Sequence, residues 1–226
     1  MKRLHSIWML NRVFFIPYAV LLLAALIMLA FLQKGDVVLW INDHHSNGLD
    51  HFFRFWTKTG EEWPFYIAIL GLLFYQVRYA IYVPFLGAAV ALFSFLLKTY
   101  FSRPRPSKYF TDIGVFEELN QVELVTLLSG HTSFPSGHTM AAFTIFTYLA
   151  LCVKSRWLKV LFLVIAILAG ISRMYLLQHF LEDVCLGSMC GVAIGTSMFY
   201  LQEYLRKKDS KLGFPIHQLF TAGNRT

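Results

Sequence analysis

Six runs of apolar residues, each bounded by charged residues or by Trp and Tyr, form the dominant pattern of this chain. The first run holds 19 residues without a charge, and the others are shorter. A helix needs about 20 apolar residues to cross the hydrocarbon core of a bilayer, and flanking Trp, Tyr, Lys and Arg extend a shorter run. We therefore predict an all-α fold, a six-transmembrane helix bundle with spans at approximately residues 14–32, 64–78, 80–98, 138–154, 157–172 and 183–201.

The composition is also that of a membrane protein. Apolar residues make up 57% of the 226 residues and charged residues 15%, with a mean hydropathy of +0.54. A soluble domain has about 45–50% apolar and about 25% charged residues. Because no linker, repeat or low-complexity run divides the chain, we predict a single integral membrane domain over residues 1–226.

The distribution of Lys and Arg predicts the orientation in the membrane. With the N-terminus inside, the inner segments carry 12 cations against two acids, and the outer segments carry 8 cations against 11 acids. Cytoplasmic segments are enriched in Lys and Arg, so both termini are predicted to be cytoplasmic. The short spans and minimal loops are typical of a bacterial protein, so we expect a multi-pass protein of the inner membrane. The net charge of +7 then reflects this topology, and no nucleic-acid partner is expected.

The segment 36–60 joins the first two spans and mixes aromatic with charged residues. Side chains such as Trp40 and Phe55 are poorly suited to open solvent, so we predict an amphipathic helix that lies in the membrane interface. The same segment holds three histidines, His44, His45 and His51. Their spacing lacks a clear ligand geometry, and the readings left are a metal site or a solvated loop.

Two further segments lie outside the predicted spans. Residues 107–134 form a long outer loop with several acids amid apolar residues, and the sequence leaves a lid, a headgroup-reading loop or a surface connector open. The tail, residues 202–226, is basic and is predicted to be surface-bound or disordered.

Small residues recur every four positions in the last span, at Gly187, Gly191 and Gly195. This spacing lets two helices approach closely. We predict that the glycine face packs inside the molecule, with a homodimer contact as the alternative.

The three cysteines, Cys152, Cys185 and Cys190, all fall in predicted spans. An odd number of membrane-buried cysteines argues against a disulfide framework, and their spacing suits no tetrahedral metal site. They are predicted to be small apolar packing residues.

Three short segments carry charge beside these apolar runs. They are residues 98–106 (KTYFSRPRP), 135–138 (PSGH) and 172–183 (SRMYLLQHFLED). Charge at the edge of a membrane is costly, so it usually marks function. All three segments fall on the predicted outer face, which suggests a single site.

The first segment supplies cations. Lys98 ends an apolar run and is either a snorkelling anchor or a phosphate ligand. Arg105 lies between prolines that restrict the backbone, so its guanidinium is well placed to bind phosphate oxygens. Arg103 is either a surface charge or a second ligand.

The second segment, PSGH, precedes a helical run. Ser136 and Gly137 would lie at the helix N-terminus, where free N–H groups and the helix dipole favour an anion. Ordinary capping of the helix by Ser136 is compatible with this role. His138 would then lie beside a bound phosphate, placed to protonate a leaving oxygen.

The third segment pairs an imidazole with a carboxylate. His179 and Asp183 are four residues apart, so on a helix they share a face. A hydrogen bond to Asp183 would fix the tautomer of His179 and leave the other ring nitrogen as a nucleophile. Arg173 would stabilise negative charge on the equatorial oxygens of a phosphoryl group.

In this order, the three segments resemble the signature of the type-2 phosphatidic acid phosphatase superfamily, which also includes soluble acid phosphatases and vanadium haloperoxidases. The resemblance implies that His179 is the nucleophile that forms a phosphohistidine, that Asp183 orients it, and that His138 is the general acid and then the base. It also implies a phosphate pocket of Lys98, Arg105, Ser136, Gly137, His138 and Arg173, with no metal and no cofactor.

The expected function is hydrolysis of a phosphate monoester or pyrophosphate on a membrane lipid at the outer face. Substrates suggested by the resemblance are undecaprenyl pyrophosphate, phosphatidylglycerol phosphate, phosphatidic acid and lipid A phosphate. One alternative is a phosphotransferase that passes the same phosphoryl group to another lipid. The other is a transporter or non-catalytic protein that only binds the anion.

Overall fold

The computed structural model describes the backbone of residues 2–205 and the side chains of residues 9–205. Within these residues the chain is helical and has no strand. The predicted all-α class is therefore confirmed, whereas the tail prediction falls almost entirely on residues outside the described range. The helices are α1 (Lys2–Phe31), α2 (Asp36–Asp43), α3 (Asn47–Trp56), α4 (Trp63–Tyr75), α5 (Val77–Phe101), α6 (Pro106–Asp112), α7 (Gly137–Cys152), α8 (Arg156–Tyr175) and α9 (Leu181–Leu205), with 3-10 turns at Thr57–Gly60 and Phe116–Glu118.

Each of the six predicted apolar runs forms a helix. Four of these helices, α1, α5, α8 and α9, are long and apolar enough to cross a membrane. The other two, α4 and α7, have 13 and 16 residues. At 1.5 Å per residue they are about 20 and 24 Å long, shorter than a hydrocarbon core of about 30 Å. The count of six spans and the cytoplasmic termini therefore stay predictions.

Helix α7 lies at the centre of the bundle and is buried along almost its whole length. It packs on α5, α8 and α9. The face of α9 that carries the spaced glycines lies against α7 so closely that a Cβ atom would come within 2.6 Å of three carbonyl oxygens, those of Ser136, Met140 and Thr144. The glycine face is thus covered by a helix of the same chain, which is the internal packing that the sequence favoured.

Residues 36–60 differ from their prediction. Instead of one amphipathic helix over residues 36–60, the structure has α2, α3 and the 3-10 turn Thr57–Gly60. The helix is interrupted because Ser46 takes an extended conformation and caps α3, its Oγ accepting a hydrogen bond from the N–H of Leu49. Phe53 is buried against Tyr175, with 4.5 Å between ring centroids, whereas Trp40 and Phe55 are exposed.

Of the three histidines of this segment, His44 and His45 lie in the turn between α2 and α3, and His51 lies on α3. His45 stacks on Tyr175, and its Nε2 lies 3.0 Å from Oδ1 of Asp50. His44 and His51 are exposed. His45 therefore has a structural partner on α3 and another on α8.

Residues 107–134 are folded onto the end of the bundle. The segment contains α6 and the 3-10 turn Phe116–Glu118. Asn120 exchanges hydrogen bonds with Asn42, and the Gly130 carbonyl accepts from the N–H of Arg105 at 2.9 Å. The last part of the segment therefore reaches the motif residues themselves.

The cysteines are free thiols, as predicted. Cys152 and Cys185 are buried in two separate hydrophobic clusters of the bundle, and Cys190 is partly buried. They fill space between helices, as small apolar residues do.

We expect Gly191→Ala to lower the free energy of unfolding by about 1–3 kcal/mol, as overpacking of a tight interface does. The new methyl group would meet the Met140 carbonyl oxygen at 2.6 Å and the Phe143 Cβ at 2.7 Å. Gly71→Ala on α4 is the matched control, because nothing lies within 4 Å of its added Cβ. Thermal unfolding of the detergent-purified protein compares the two, and an unchanged midpoint for Gly191→Ala would contradict the close packing of α7 on α9.

Candidate active site

The three motif segments meet at one end of the bundle. The N–H of Ser136 donates to the Asp183 carbonyl at 3.0 Å, which joins the start of α7 to the start of α9. Nη1 of Arg105 donates to the Gln178 carbonyl at 3.2 Å, which joins the loop after α5 to the turn before α9. Residues more than 70 positions apart along the chain are thus in direct contact.

His179 and Asp183 form a buried pair. Nδ1 of His179 lies 3.2 Å from Oδ2 of Asp183, and each residue is 1% exposed. The four-residue spacing predicted that both residues lie on one helix, and this prediction is wrong. His179 lies in the turn after α8, and α9 begins only at Leu181. The turn is held because the same carboxylate oxygen accepts the N–H of Phe180 at 2.9 Å. With Nδ1 facing the carboxylate, Nε2 is the ring nitrogen left without this partner.

Ser133 completes this pair and was not predicted. Its hydroxyl donates to Oδ2 of Asp183 at 2.5 Å and lies 3.5 Å from Nδ1 of His179. The side chain is fully buried. Ser133 lies just upstream of PSGH in a stretch with other hydroxyl residues, and nothing in the local pattern distinguishes it from them.

The predicted arginines are buried and are held by neutral oxygens. Arg105 is 4% exposed and also donates to the Thr132 hydroxyl at 3.3 Å. Arg173 is 6% exposed and donates to the Thr57 hydroxyl at 2.6 Å, another contact that the sequence did not reveal.

The buried Arg105 and Arg173 and the partly buried Lys98 form no direct ion pair among the described residues, although Asp183 attracts Lys98 and Arg105, and Glu61 attracts Arg173, from a greater distance. In the part of the chain that the structure describes, no carboxylate oxygen lies within 4.0 Å of a charged nitrogen of Lys98, Arg105 or Arg173. Nε of Arg173 is buried, and among the described residues it has no hydrogen-bond partner. Buried charge without a partner is costly, so the arrangement favours binding of an anion.

The same cations act on His179. Burial lowers the pKa of the imidazole well below its ordinary value, and the neighbouring Arg173, Arg105 and Lys98 lower it further. The ring is therefore neutral at neutral pH, and the neutral imidazole is the nucleophilic form.

The start of α7 is capped by Ser136 and leaves open space beside the amine of Lys98. Ser136 caps the helix, its Oγ accepting the N–H of Thr139 at 3.3 Å. At Gly137 an added Cβ would lie 3.6 Å from Nζ of Lys98, so the absence of a side chain keeps the space beside this amine open. Gly60 packs against the backbone of His138, because an added Cβ would come within 2.7 Å of the His138 carbonyl oxygen.

A groove of about 870 Å³ opens from this site. Gly137 lines it, and its polar lining residues are Lys98, His138, Ser94, Glu61 and Glu62. Its walls come from α4, α5 and α7 and are mostly apolar: Phe65, Ile69, Val83, Pro84, Gly87, Ala88, Val90, Ala91 and Ala141. Because Val83 and Lys98 are 15 residues apart on α5, the groove extends about 22 Å along that helix. The sequence did not predict it.

Arg103 lies at the edge of this centre. Its side chain is exposed and packs on Phe134, with 4.4 Å from the guanidinium to the ring centroid, while its carbonyl accepts the N–H of Ser133 at 3.1 Å. Within residues 9–205, no three His, Cys, Asp or Glu side chains are grouped so that they could hold a metal ion.

Known proteins resemble the part of the chain that carries these residues. A family model described as the PAP2 superfamily matches residues 66–207, which contain all three motif segments. A lipid A 4′-phosphatase of Bacteroides thetaiotaomicron is 25% identical over 186 residues, covering 76% of this chain and 79% of that protein. Phosphatidylglycerophosphatase B of Bacillus subtilis is 41% identical over 85 residues, covering 34% of this chain and 40% of that protein.

The fold is similar to a solved structure. The crystal structure of Aquifex aeolicus LpxE superposes with a TM-score of 0.65 and 26% sequence identity. The match covers 75% of this chain and 96% of that one.

We expect a double-mutant cycle to detect the contact of Ser133 with Asp183. Ser133→Ala should lower the free energy of unfolding by about 1–3 kcal/mol, because the buried carboxylate loses a donor. In an Asp183→Ala background the same change should cost much less, since the acceptor is already gone. Thermal unfolding in detergent measures all four proteins, and equal effects of Ser133→Ala in both backgrounds would show that the two side chains are not coupled.

Proposed function

This chain belongs to the PAP2 superfamily, and from that premise we propose that it is a lipid phosphatase, which hydrolyses a phosphate monoester or pyrophosphate on a membrane lipid. The observation that carries the proposal is the junction of a cation cluster with an apolar groove: Lys98 lines the groove, and the buried Arg105 and Arg173 act electrostatically on Lys98. The cations suit a phosphate group, and the groove suits the apolar chains of the same molecule. The relatives named for phosphatase action on lipids support the same reading.

Binding would place the phosphoryl group among Lys98, Arg105 and Arg173. Ser136 and Gly137 would add the N-terminus of α7. Because these donors are fixed before the substrate arrives, they stabilise the charge that spreads over the equatorial oxygens in the transition state without reorganisation. The apolar chains would lie in the groove, on the side of His138.

In the first half-reaction, the lone pair on Nε2 of His179 attacks phosphorus. The P–N bond forms as the P–O bond to the lipid breaks, and His138 donates a proton to the leaving oxygen. A phosphate bound beside His138 favours its protonated form, which provides that proton. Asp183 keeps Nδ1 of His179 protonated and stabilises the positive charge on the ring.

The second half-reaction returns the enzyme to its starting state. His138, now neutral, takes a proton from a water molecule, whose oxygen attacks the phosphohistidine. The P–O bond forms as the P–N bond breaks, and inorganic phosphate leaves with His179 neutral again. No metal is required in this scheme, because the cations supply the charge stabilisation.

The membrane arrangement is part of the proposal. Six spans with both termini in the cytoplasm would put the motif segments at the extracytoplasmic face of the inner membrane, because the inner segments carry the excess of Lys and Arg. At that depth the cations would meet lipid headgroups, while the groove along α5 would face the acyl region.

We expect His179→Ala to reduce phosphate release by about 10³-fold or more, because it removes the proposed nucleophile. His131→Ala is the matched control, since His131 is exposed. The assay measures free phosphate from phosphatidic acid, phosphatidylglycerol phosphate, lipid A and undecaprenyl pyrophosphate, with detergent-purified protein and EDTA present.

Three results would count against this proposal. Full activity of His179→Ala would refute the nucleophile, and activity that EDTA abolishes and Mg²⁺ restores would refute the metal-free scheme. Transfer of the label to a second lipid, with no free phosphate, would replace hydrolysis by phosphotransfer.

We expect Gly87→Phe to narrow the groove and to discriminate between lipid chain lengths. Gly87 lines the groove, and the nearest side-chain atom to an added Cβ, on Phe65, is 3.9 Å away. Since each buried methylene contributes about 0.8 kcal/mol, excluding a few of them should lower kcat/KM for long-chain phosphatidic acid by about tenfold or more. Phosphatidic acid with short chains should be affected less.

The control for this experiment is Gly71→Phe, on α4 but outside the groove. It should leave both substrates unchanged. Equal losses for long and short chains in Gly87→Phe would mean that the groove does not hold the apolar chains.

A further inference from the structure

A second cavity, of about 510 Å³, reaches the site from another direction. Arg173 lines this cavity but not the apolar groove, whereas Lys98 and His138 line only the groove. Glu61 lines both, so the two cavities adjoin. We call the second cavity the basic pocket.

The basic pocket carries an excess of positive charge. Its lining cations are Arg54, Lys58 and Arg173, and its one lining acid is Glu61. In the described part of the chain no carboxylate oxygen lies within 4.0 Å of the charged nitrogens of Arg54 or Lys58. Arg54 instead donates to the backbone carbonyl of Glu123. The pocket is thus electrostatically prepared for an anion.

Two residues that line the pocket, Thr57 and Gln178, also hold the arginines of the site. Lys58 directly follows Thr57, whose hydroxyl holds Arg173. On the opposite side, Gln178 lines the pocket and offers its backbone carbonyl to Arg105. An occupant of the basic pocket would therefore lie beside two residues that position the site's arginines.

The size and rim of the pocket indicate a ligand that is larger than a single ion. Its volume falls within the roughly 300–1,000 Å³ of small-molecule sites. Phe55 and Leu124 add exposed apolar surface. Leu124 has φ 61°, a left-handed conformation that is costly for a leucine, and its side chain is 87% exposed. Strained residues of this kind cluster at ligand sites.

We propose that the basic pocket is a subsite for a second phosphate group, carried by the polar headgroup of the substrate. The inference rests on the proposed function in one respect: the scissile phosphate is taken to lie at His179 and Arg173. Free phosphate shares the same chemistry, so the experiment separates a headgroup phosphate from the inorganic ion.

The test measures binding and does not depend on turnover. Glucose 1,6-bisphosphate, glucose 6-phosphate and inorganic phosphate are titrated into the full-length protein in detergent, and dissociation constants are obtained from calorimetry. We expect the bisphosphate to bind about tenfold more tightly than the monophosphate, as an added phosphate–cation contact provides. In Arg54→Ala/Lys58→Ala this ratio should fall below about threefold.

The matched control is Lys154→Ala/Arg156→Ala, which removes the same charge from two exposed residues, one just before α8 and one at its first position. It should keep the tenfold ratio. Equal binding of the bisphosphate and the monophosphate by the unaltered protein, or an unchanged ratio in Arg54→Ala/Lys58→Ala, would overturn the subsite. If the double variant weakens inorganic phosphate as much as the bisphosphate, the pocket binds the free ion and the headgroup assignment is overturned.

Failure of the subsite and failure of the proposed function give different results in these experiments. A protein that keeps the bisphosphate preference but releases no phosphate from any lipid would retain the subsite and lose the phosphatase. A protein that hydrolyses lipids but shows no preference would retain the phosphatase and lose the subsite. Thermal unfolding in detergent, with the same midpoint for Arg54→Ala/Lys58→Ala as for Lys154→Ala/Arg156→Ala, checks that the variant is folded.

Discussion

Buried positive charge without a direct carboxylate partner among the described residues is the constraint on which the site depends. Arg105 and Arg173 are almost completely inaccessible, yet carbonyl and hydroxyl oxygens hold them in place of acids. Neutral acceptors orient a guanidinium without cancelling its charge, so the full attraction for an anion is preserved. The buried carboxylate of the centre, Asp183, is directed instead to His179, Ser133 and the N–H of Phe180. The hydrogen bonds of Asp183 therefore go to His179 and its turn, and none goes to the arginines.

The packing of α7 on α9 provides the rigidity that such a site requires. Because the glycine face of α9 touches backbone oxygens of α7, the two helices have little freedom to slide or rotate against one another. The same contact continues to the helix starts, where the N–H of Ser136 bonds the carbonyl of Asp183. The anion-binding end of α7 and the carboxylate that orients His179 therefore move as one body.

The sequence predicted the helices and the charged residues of the site more completely than it predicted the residues that contact them in the fold. Apolar runs located all six long segments to within a few residues, except that α1 begins at Lys2, because a helix continues through polar residues that no apolar count includes. The motifs named the residues that the fold gathers. Ser133, Thr57 and Gly60 escaped notice because they act through contacts between distant segments and have no local pattern. The break at Ser46 was missed because a single capping hydroxyl outweighed the aromatic periodicity around it.

Helix α5 serves the site twice: its last turn carries Lys98, and its preceding turns form a wall of the groove. A membrane helix adapts to bilayer thickness by changing its tilt. Any tilt of α5 would therefore shift the amine of Lys98 and alter the width of the groove together. The lipid composition of the host membrane, by setting its thickness, would then act on this protein as a mechanical input, independent of which lipid is the substrate.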